Sequence, residues 1–299
     1  MIPAAWAAFS TDAPTTEVRK REHMQREEYE AVDAVNWSTL KHLGKSGEHY
    51  LHALRAGGGE DTDAKQRGRV THLAVFEPER FSRDVIVYPK TRSGKDWDAF
   101  ETKHAGKEIV ASRMFDAATK IANAARTHPM AAGYLAGGLP EHTLQWKYKS
   151  PPIAHLEGFE IDCKGRVDFI ANVGAIVDLK STKDASPTGF AREVLRYEHH
   201  AAAAFYVDGH EAMTGQRLPF VFVAVEASAP YVVQVYRVPD DVLELGRERY
   251  TALLAQLNVC RKDARWPGYA EHEMDLALPR WAYPADDDDV DEDLVITEQ

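Results

Sequence analysis

The stretch Gly165-Arg166-Val167-Asp168-Phe169-Ile170-Ala171-Asn172-Val173-Gly174-Ala175-Ile176-Val177-Asp178-Leu179-Lys180 reads as two strands joined by a tight turn. Asn172-Val173-Gly174 makes a hairpin loop of common length, with a glycine available for a left-handed conformation, so pairing is symmetric about Val173. Asp168 then faces Asp178, and Arg166 faces Lys180. Alternation puts Val167, Phe169, Val177 and Leu179 on one face and Arg166, Asp168, Asp178 and Lys180 on the other. Directly opposed residues have Cβ atoms about 4.5 to 5.5 Å apart, and carboxylates so placed repel unless a cation lies between them. Two arrangements meet that requirement. A divalent cation of the Mg²⁺ or Mn²⁺ type could be held by the oxygens, with Lys180 projecting toward the same place. Alternatively, the pair is exposed and Arg166 and Lys180 balance the acids in a surface network.

Outward from the hairpin, the chain alternates helical and extended patterns. A helix is expected from Asn36 or Ser38 through Leu54, broken by Gly57-Gly58-Gly59, and a second from about Ala64 to Phe76, stopped by Pro78. Val85–Tyr88 reads as a strand, followed by the basic loop Lys90–Lys95 and helices at 96–104, 112–125 and from Pro129. Residues 144–148, 159–163, 166–171 and 175–179 read as successive short strands of an antiparallel meander. A long helix at 187–213, strands at 220–225 and 231–236 and a helix at 240–259 complete a mixed α/β plan in one domain.

The spacing of Asp168 and Asp178-Leu179-Lys180 resembles the bipartite signature of PD-(D/E)xK nucleases, an Asp followed by Asp/Glu-x-Lys. Further similarity lies in Arg67-Gly68-Arg69-Val70-Thr71-His72 with Phe76-Glu77-Pro78-Glu79, in Arg92-Ser93-Gly94-Lys95, in Ala203-Ala204-Phe205-Tyr206 with Asp208-Gly209, and in Trp266-Pro267-Gly268-Tyr269. Together these resemble the RecE-type exonuclease VIII group of phage recombination nucleases, which belongs with RecB-like enzymes. The resemblance implies a restriction-endonuclease-like α/β core, a central mixed sheet with an antiparallel catalytic hairpin flanked by helices. It also implies hydrolysis of linear double-stranded DNA from its ends, 5′ to 3′, with a single-strand annealing protein as partner and a homo-oligomeric ring around DNA. In that reading His72, Asp168, Asp178 and the Leu179 carbonyl hold Mg²⁺ or Mn²⁺, Lys180 aids attack of water, and Glu141 assists the metal site. The branch carries Gln-x-x-x-Tyr on the helix after the hairpin. Counting back from Tyr206 puts Ala202 at the Gln position, with His199 and His200 read as out of phase to replace it. The nuclease domain is expected over 29–283, after a loose lead-in at 1–28 and before an acidic, disordered tail at 284–299.

Composition limits the alternatives. The 299 residues are 44% hydrophobic and 28% charged, enough apolar material for a sizeable core. No apolar run approaches the roughly 20 residues that span a bilayer, and Met1–Ser10 lacks a basic start, so a cytoplasmic location is expected. Cys163 and Cys260 cannot form a cysteine cluster, which leaves oxygen or histidine as metal ligands and excludes an iron–sulfur cluster. The net charge of −11 is largely the tail: without its eight acids, 36 basic and 39 acidic residues remain. Binding of DNA through bulk charge is thus excluded, and contacts have to come from local bases. Candidates are Arg67, Arg69, Arg92, Lys95 and Arg166, with Lys41, Lys90, Arg192 and Arg196 beside them and Tyr206 as an aromatic contact. Gly44-Lys45-Ser46 follows a helix and lacks the first glycine of a phosphate loop, and His210-Glu211 lacks the second histidine of a zinc protease.

Overall fold

The turn closes as the spacing predicts. Ala171 pairs with Ala175, Ile170 with Ile176 and Phe169 with Val177, a register centred on Val173, and Gly174 takes φ +79°. The computed structural model describes residues 24, 26–57, 61–152, 157–279 and 282; the acidic tail and most of the lead-in lie outside them. The hairpin strands, β4 (Phe159–Ala171) and β5 (Ala175–Thr182), sit in the middle of a five-stranded sheet. Its order is β3 (Gly138–Ser150), β4, β5, β6 (Phe220–Glu226), β7 (Val233–Arg237). Neighbours run antiparallel except β5 and β6, which are parallel. A parallel pair needs a long crossover, and here it is made by α9 (Pro187–Arg196) and α10 (His199–Thr214). The mixed sheet agrees with expectation. The strands expected at 159–163 and 166–171 are one, because Lys164 and Gly165 stay paired with Gln145 and Leu144.

Helices cover both faces of the sheet. Strand β6 shows why: Phe220, Phe222 and Ala224 point to one core while Val221, Val223 and Val225 point to the other, and nearly all are fully buried. The first core receives α2 (Trp37–Leu40), a 3-10 turn (Lys41–Gly44), α3 (Gly47–Arg55), α9, α10 and α11 (Asp240–Asp263). The second receives α4 (Asp63–Phe76), α5 (Pro78–Asp84), α7 (Ser112–Thr127) and α8 (Pro129–Leu135). A short parallel pair, β1 (Val85–Val87) with β2 (Glu108–Val110), lies beside α4, and α6 (Lys95–Lys103) and α1 (Arg26–Ala31) complete the chain. Helices α10 and α11 cross at backbone contact: a Cβ added at Gly246 would stand 2.3 Å from the His200 carbonyl oxygen.

Several local expectations are corrected by competing side-chain contacts. The helix expected from 36 to 54 breaks at Ser46, whose hydroxyl accepts from the His49 amide and starts a new helix. The helix expected from 187 to 213 breaks at Tyr197-Glu198, where Glu198 takes φ +56° and its carboxylate receives Arg249 Nε at 2.6 Å. Val167 and Phe169 do not share a core: Val167 packs into the first and Phe169 into the second, where it stacks on Phe76. The cause lies across β3. His142 pairs with Val167 and Pro140 with Phe169, but Glu141 between them takes φ +50°, and the alternation rolls over at Asp168.

Candidate active site

The β4–β5 ladder ends at Phe169 and Val177, one residue short of the expected facing of Asp168 with Asp178, and Arg166 does not reach Lys180. Beyond that point β5 swings away, and the open edge of β4 is taken by Val35, whose amide bonds to Asp162 O and whose carbonyl accepts from Lys164 N. Where the strands part, Asp168 Oδ2 accepts the Leu179 amide at 3.0 Å, taking up a donor that the ladder would otherwise use. Asp168 Oδ1 lies 3.5 Å from His72 Nδ1 on α4. On the other side, Asp178 is ion-paired with Lys180. Asp168, Asp178, Leu179, Lys180 and His72 are thus brought together, with Leu179 entering through its amide. Glu141, expected just before a strand, lies inside β3 opposite Asp168.

The site is electrostatically loaded. Burial raises the Asp178 carboxyl above its ordinary value, Lys180 opposes this, and the Asp168 charge adds to it. For Lys180, burial favours the neutral amine, but Asp178 and Asp168 outweigh burial and hold its pKa above the usual range. Lys180 is therefore an ammonium, a donor of charge and hydrogen bonds. Glu141 is also raised, by burial first and then by Asp168. His72, Asp168, Glu141 and Arg166 line a cleft of about 520 Å³, and Asp178 and Lys180 are not part of that lining.

The donor set suits a hard divalent cation: two carboxylates in each other's field, a third close by, and an imidazole. Among the described residues, no three His, Cys, Asp or Glu side chains converge to ligand distance as they stand. The reason is local, since Asp178 turns to Lys180 and Asp168 gives one oxygen to the Leu179 amide. The residues that fit the cation are Asp168, Asp178 and His72.

Of the expected DNA contacts, Arg67 and Lys95 are exposed. Arg69 is instead bound to Glu108 at 2.8 Å and to Asp61 at 2.6 Å, and Arg92 donates to Ile109 O, so both are committed to holding β2 and its neighbours. Arg166 lies over the Tyr29 ring and donates to Met24 O. Tyr206 rests on Gly165, where a Cβ would meet its ring at 2.9 Å. Its hydroxyl is held far above the ordinary value by burial and by Tyr29, Asp178 and Asp168, so it faces the site as a neutral phenol.

One residue at the site has no signal in the sequence reading, and a second is placed differently from its expected phase. Tyr29 on α1 lines the cleft, and the chain around it is held there: buried Lys164 Nζ donates to Tyr29 O at 2.8 Å and Val32 O at 2.7 Å. His199 faces Lys180 and Asp178, contrary to the out-of-phase expectation. Burial, then Lys180, push its pKa down to about 4. Its signal was available: His199 precedes Tyr206 by two helical turns and shares its stripe.

A sheet with helices on both faces and carboxylates where its central hairpin opens defines an α/β fold of the restriction-endonuclease type. A family model described as a PDDEXK-like domain of unknown function (DUF3799) matches residues 36–275, and the chain belongs to that family. A crystal structure from Eubacterium rectale, called "Putative exonuclease", shares the fold with a TM-score of 0.56 at 16% identity, over 86% of this chain and 96% of that one. A structure of SSO0001 aligns with a TM-score of 0.29 at 11% identity, over 65% of this chain and 87% of that one, and carries no argument. No curated protein matches the chain. Among the described residues, no helix is long and apolar enough to cross a membrane.

Proposed function

We propose that the protein is a metal-dependent deoxyribonuclease that degrades linear double-stranded DNA from its ends, 5′ to 3′, leaving 3′ single-stranded tails. The observation that carries this reading is the meeting of Asp168, Asp178 and Lys180 where β4 and β5 part, with His72 across the sheet. Membership of the PDDEXK-like family supports a nuclease, a class that generally works with divalent metals. The direction of degradation rests on the resemblance to RecE-type enzymes, as do a single-strand annealing partner and a ring of copies.

Asp168, Asp178 and His72 would hold the cation, with the Leu179 carbonyl added by the resemblance. When bound, Mg²⁺ or Mn²⁺ supplies acidified water and neutralises phosphate charge. Lys180, kept as an ammonium by the two carboxylates, stabilises the charge that grows on the phosphate oxygens as water attacks phosphorus and the P–O3′ bond breaks. The product nucleotide keeps its 5′-phosphate, the attacking water gives up a proton to solvent, and the leaving O3′ takes one from solvent. Arg166 lines the cleft and orients the strand.

A second reading, a DNA-binding recombination accessory protein with weakened catalysis, is favoured by Ala202 where the branch carries Gln. Linear duplex with separately labelled 5′ and 3′ ends, digested with Mg²⁺ or EDTA beside a closed circle, separates them. The expected result is early, metal-dependent loss of the 5′ label with the circle untouched. Cutting of the circle indicates an endonuclease, and early loss of the 3′ label indicates the opposite polarity. Binding without cleavage under any divalent metal selects the accessory protein.

A further inference from the structure

The segment Trp266-Pro267-Gly268-Tyr269, downstream of α11, plays no part in the site described above, yet the fold holds it firmly. Trp266 stacks on buried Tyr50 of α3, ring centroids 5.4 Å apart and planes within 6°. The Pro267 carbonyl accepts the Glu48 amide, and Gly47 allows this approach, since a Cβ there would stand 2.8 Å from the Trp266 backbone. What these contacts present is Tyr269, 80% exposed, with its ring 5.6 Å from that of His49. His49 is itself oriented, its Nδ1 2.7 Å from Ser46 Oγ. A large aromatic fixed in water beside a second oriented ring does little for stability, because it buries little area.

The platform continues a short row of lysines, since Lys41 opens the 3-10 turn and Lys45 caps it just before Ser46 and His49. His42 stands among Lys41, Lys45, His49 and His52, which together with burial depress its pKa. The turn reaches the start of α10, because Arg249 lies against Gly44 while its Nε donates to Glu198, and the neighbouring His199 ring lies 6.2 Å from that of Phe222, the β6 partner of Asp178. Of the acids nearby, Glu48 lies in the first turn of α3 with its carboxylate beside Gly268, and Glu271 is paired with Arg265 at 2.6 Å.

We infer that the Tyr269–His49 platform and the Lys41–Lys45 row form a binding track for single-stranded DNA leading to the active site. This rests on the nuclease reading and adds to it the form of nucleic acid held. The aromatic selects the unpaired form, because bases within a duplex already stack on one another and only an unpaired base offers a free face to Tyr269. The lysines follow the backbone phosphates without regard to sequence.

The test is binding in EDTA, where no cleavage occurs, by fluorescence anisotropy. Blunt duplex is compared with duplex carrying an unpaired tail of about ten nucleotides, a length within the usual span of single-strand sites. Wild type is expected to prefer the tailed form and to quench 2-aminopurine placed in the tail. Tyr269→Ala should weaken tailed-duplex binding about 10-fold, to the blunt level, and abolish the quench. Lys45→Ala should lower the slope of log K against log salt by about 0.7. If both variants bind tailed duplex as wild type does while metal-dependent cleavage persists, the track is wrong and the nuclease reading stands. If wild type neither binds nor cleaves DNA of either form, both fail.

Discussion

Two helices reach the active site from opposite faces of the sheet, and they meet it under different conditions. From α4, His72 approaches Asp168 on the wall of an open cleft, with about a quarter of its side chain in water. From α10, the partly buried His199 and Tyr206 approach Asp178 and Lys180, and burial pushes His199 down to about 4 and keeps the Tyr206 phenol neutral. The wet side is where a cation and a phosphate can enter. The α10 side sets the charge of the groups waiting for them, because field effects strengthen as water is displaced.

The deepest break in this division would come from the pair between the two sides. Lys180→Ala and Asp178→Ala are each expected to lower cleavage by about 10³-fold while circular dichroism shows the fold retained. Wild-type rates in both would move the site elsewhere. Next in size, His72→Ala should lose about 10- to 100-fold and need more metal for half-maximal activity, as expected of a ligand on the open side. His199→Ala, compared in the same titration, should leave the metal requirement unchanged; an equal shift would erase the distinction between the faces.

The smallest effect concerns stability. The folded protein holds His199 near 4, below its ordinary 6.5, so below pH 6.5 the unfolded chain takes up a proton that the fold refuses. This contribution is full above pH 6.5 and is lost as pH falls toward 4. Between pH 7 and pH 5 it should cost about 1 to 2 kcal/mol, after allowance for the ring's partial exposure. Denaturant unfolding in EDTA at both values measures it, and His199→Gln should remove that part of the fall. An unchanged fall would assign it to another group.

The hairpin was legible because its turn and its apolar–charged alternation are local, and the register about Val173 followed from them. What the sequence concealed is the place where β4 and β5 separate, since it depends on Glu141 of a third strand turning to φ +50° and on Val35 filling the vacated edge. Strand β3 runs from Gly138 to Ser150, well beyond the expected 144–148, and Pro140 pairs with Phe169 although proline and glycine weaken a strand. The break before α10 was hidden for a similar reason: the residue at φ +56° is a glutamate, and its reward is Arg249, 51 positions away. Ala202 leaves a side chain missing, while His199, one turn earlier on the same stripe, owes its place to a helix start at residue 199 that the local sequence does not mark.

The contact of Gly246 with the His200 carbonyl bears on which parts of the molecule can move. On one side α10 meets α11 with no side chain between them, and on the other Tyr206 is set against the bare backbone of Gly165. A helix wedged at both surfaces has no free travel, because sliding or rocking would drive backbone into backbone. In a catalytic cycle α10 is then the fixed frame, and any opening that admits a strand or frees a nucleotide is left to α4 and α1, the two walls of the cleft built on side-chain contacts.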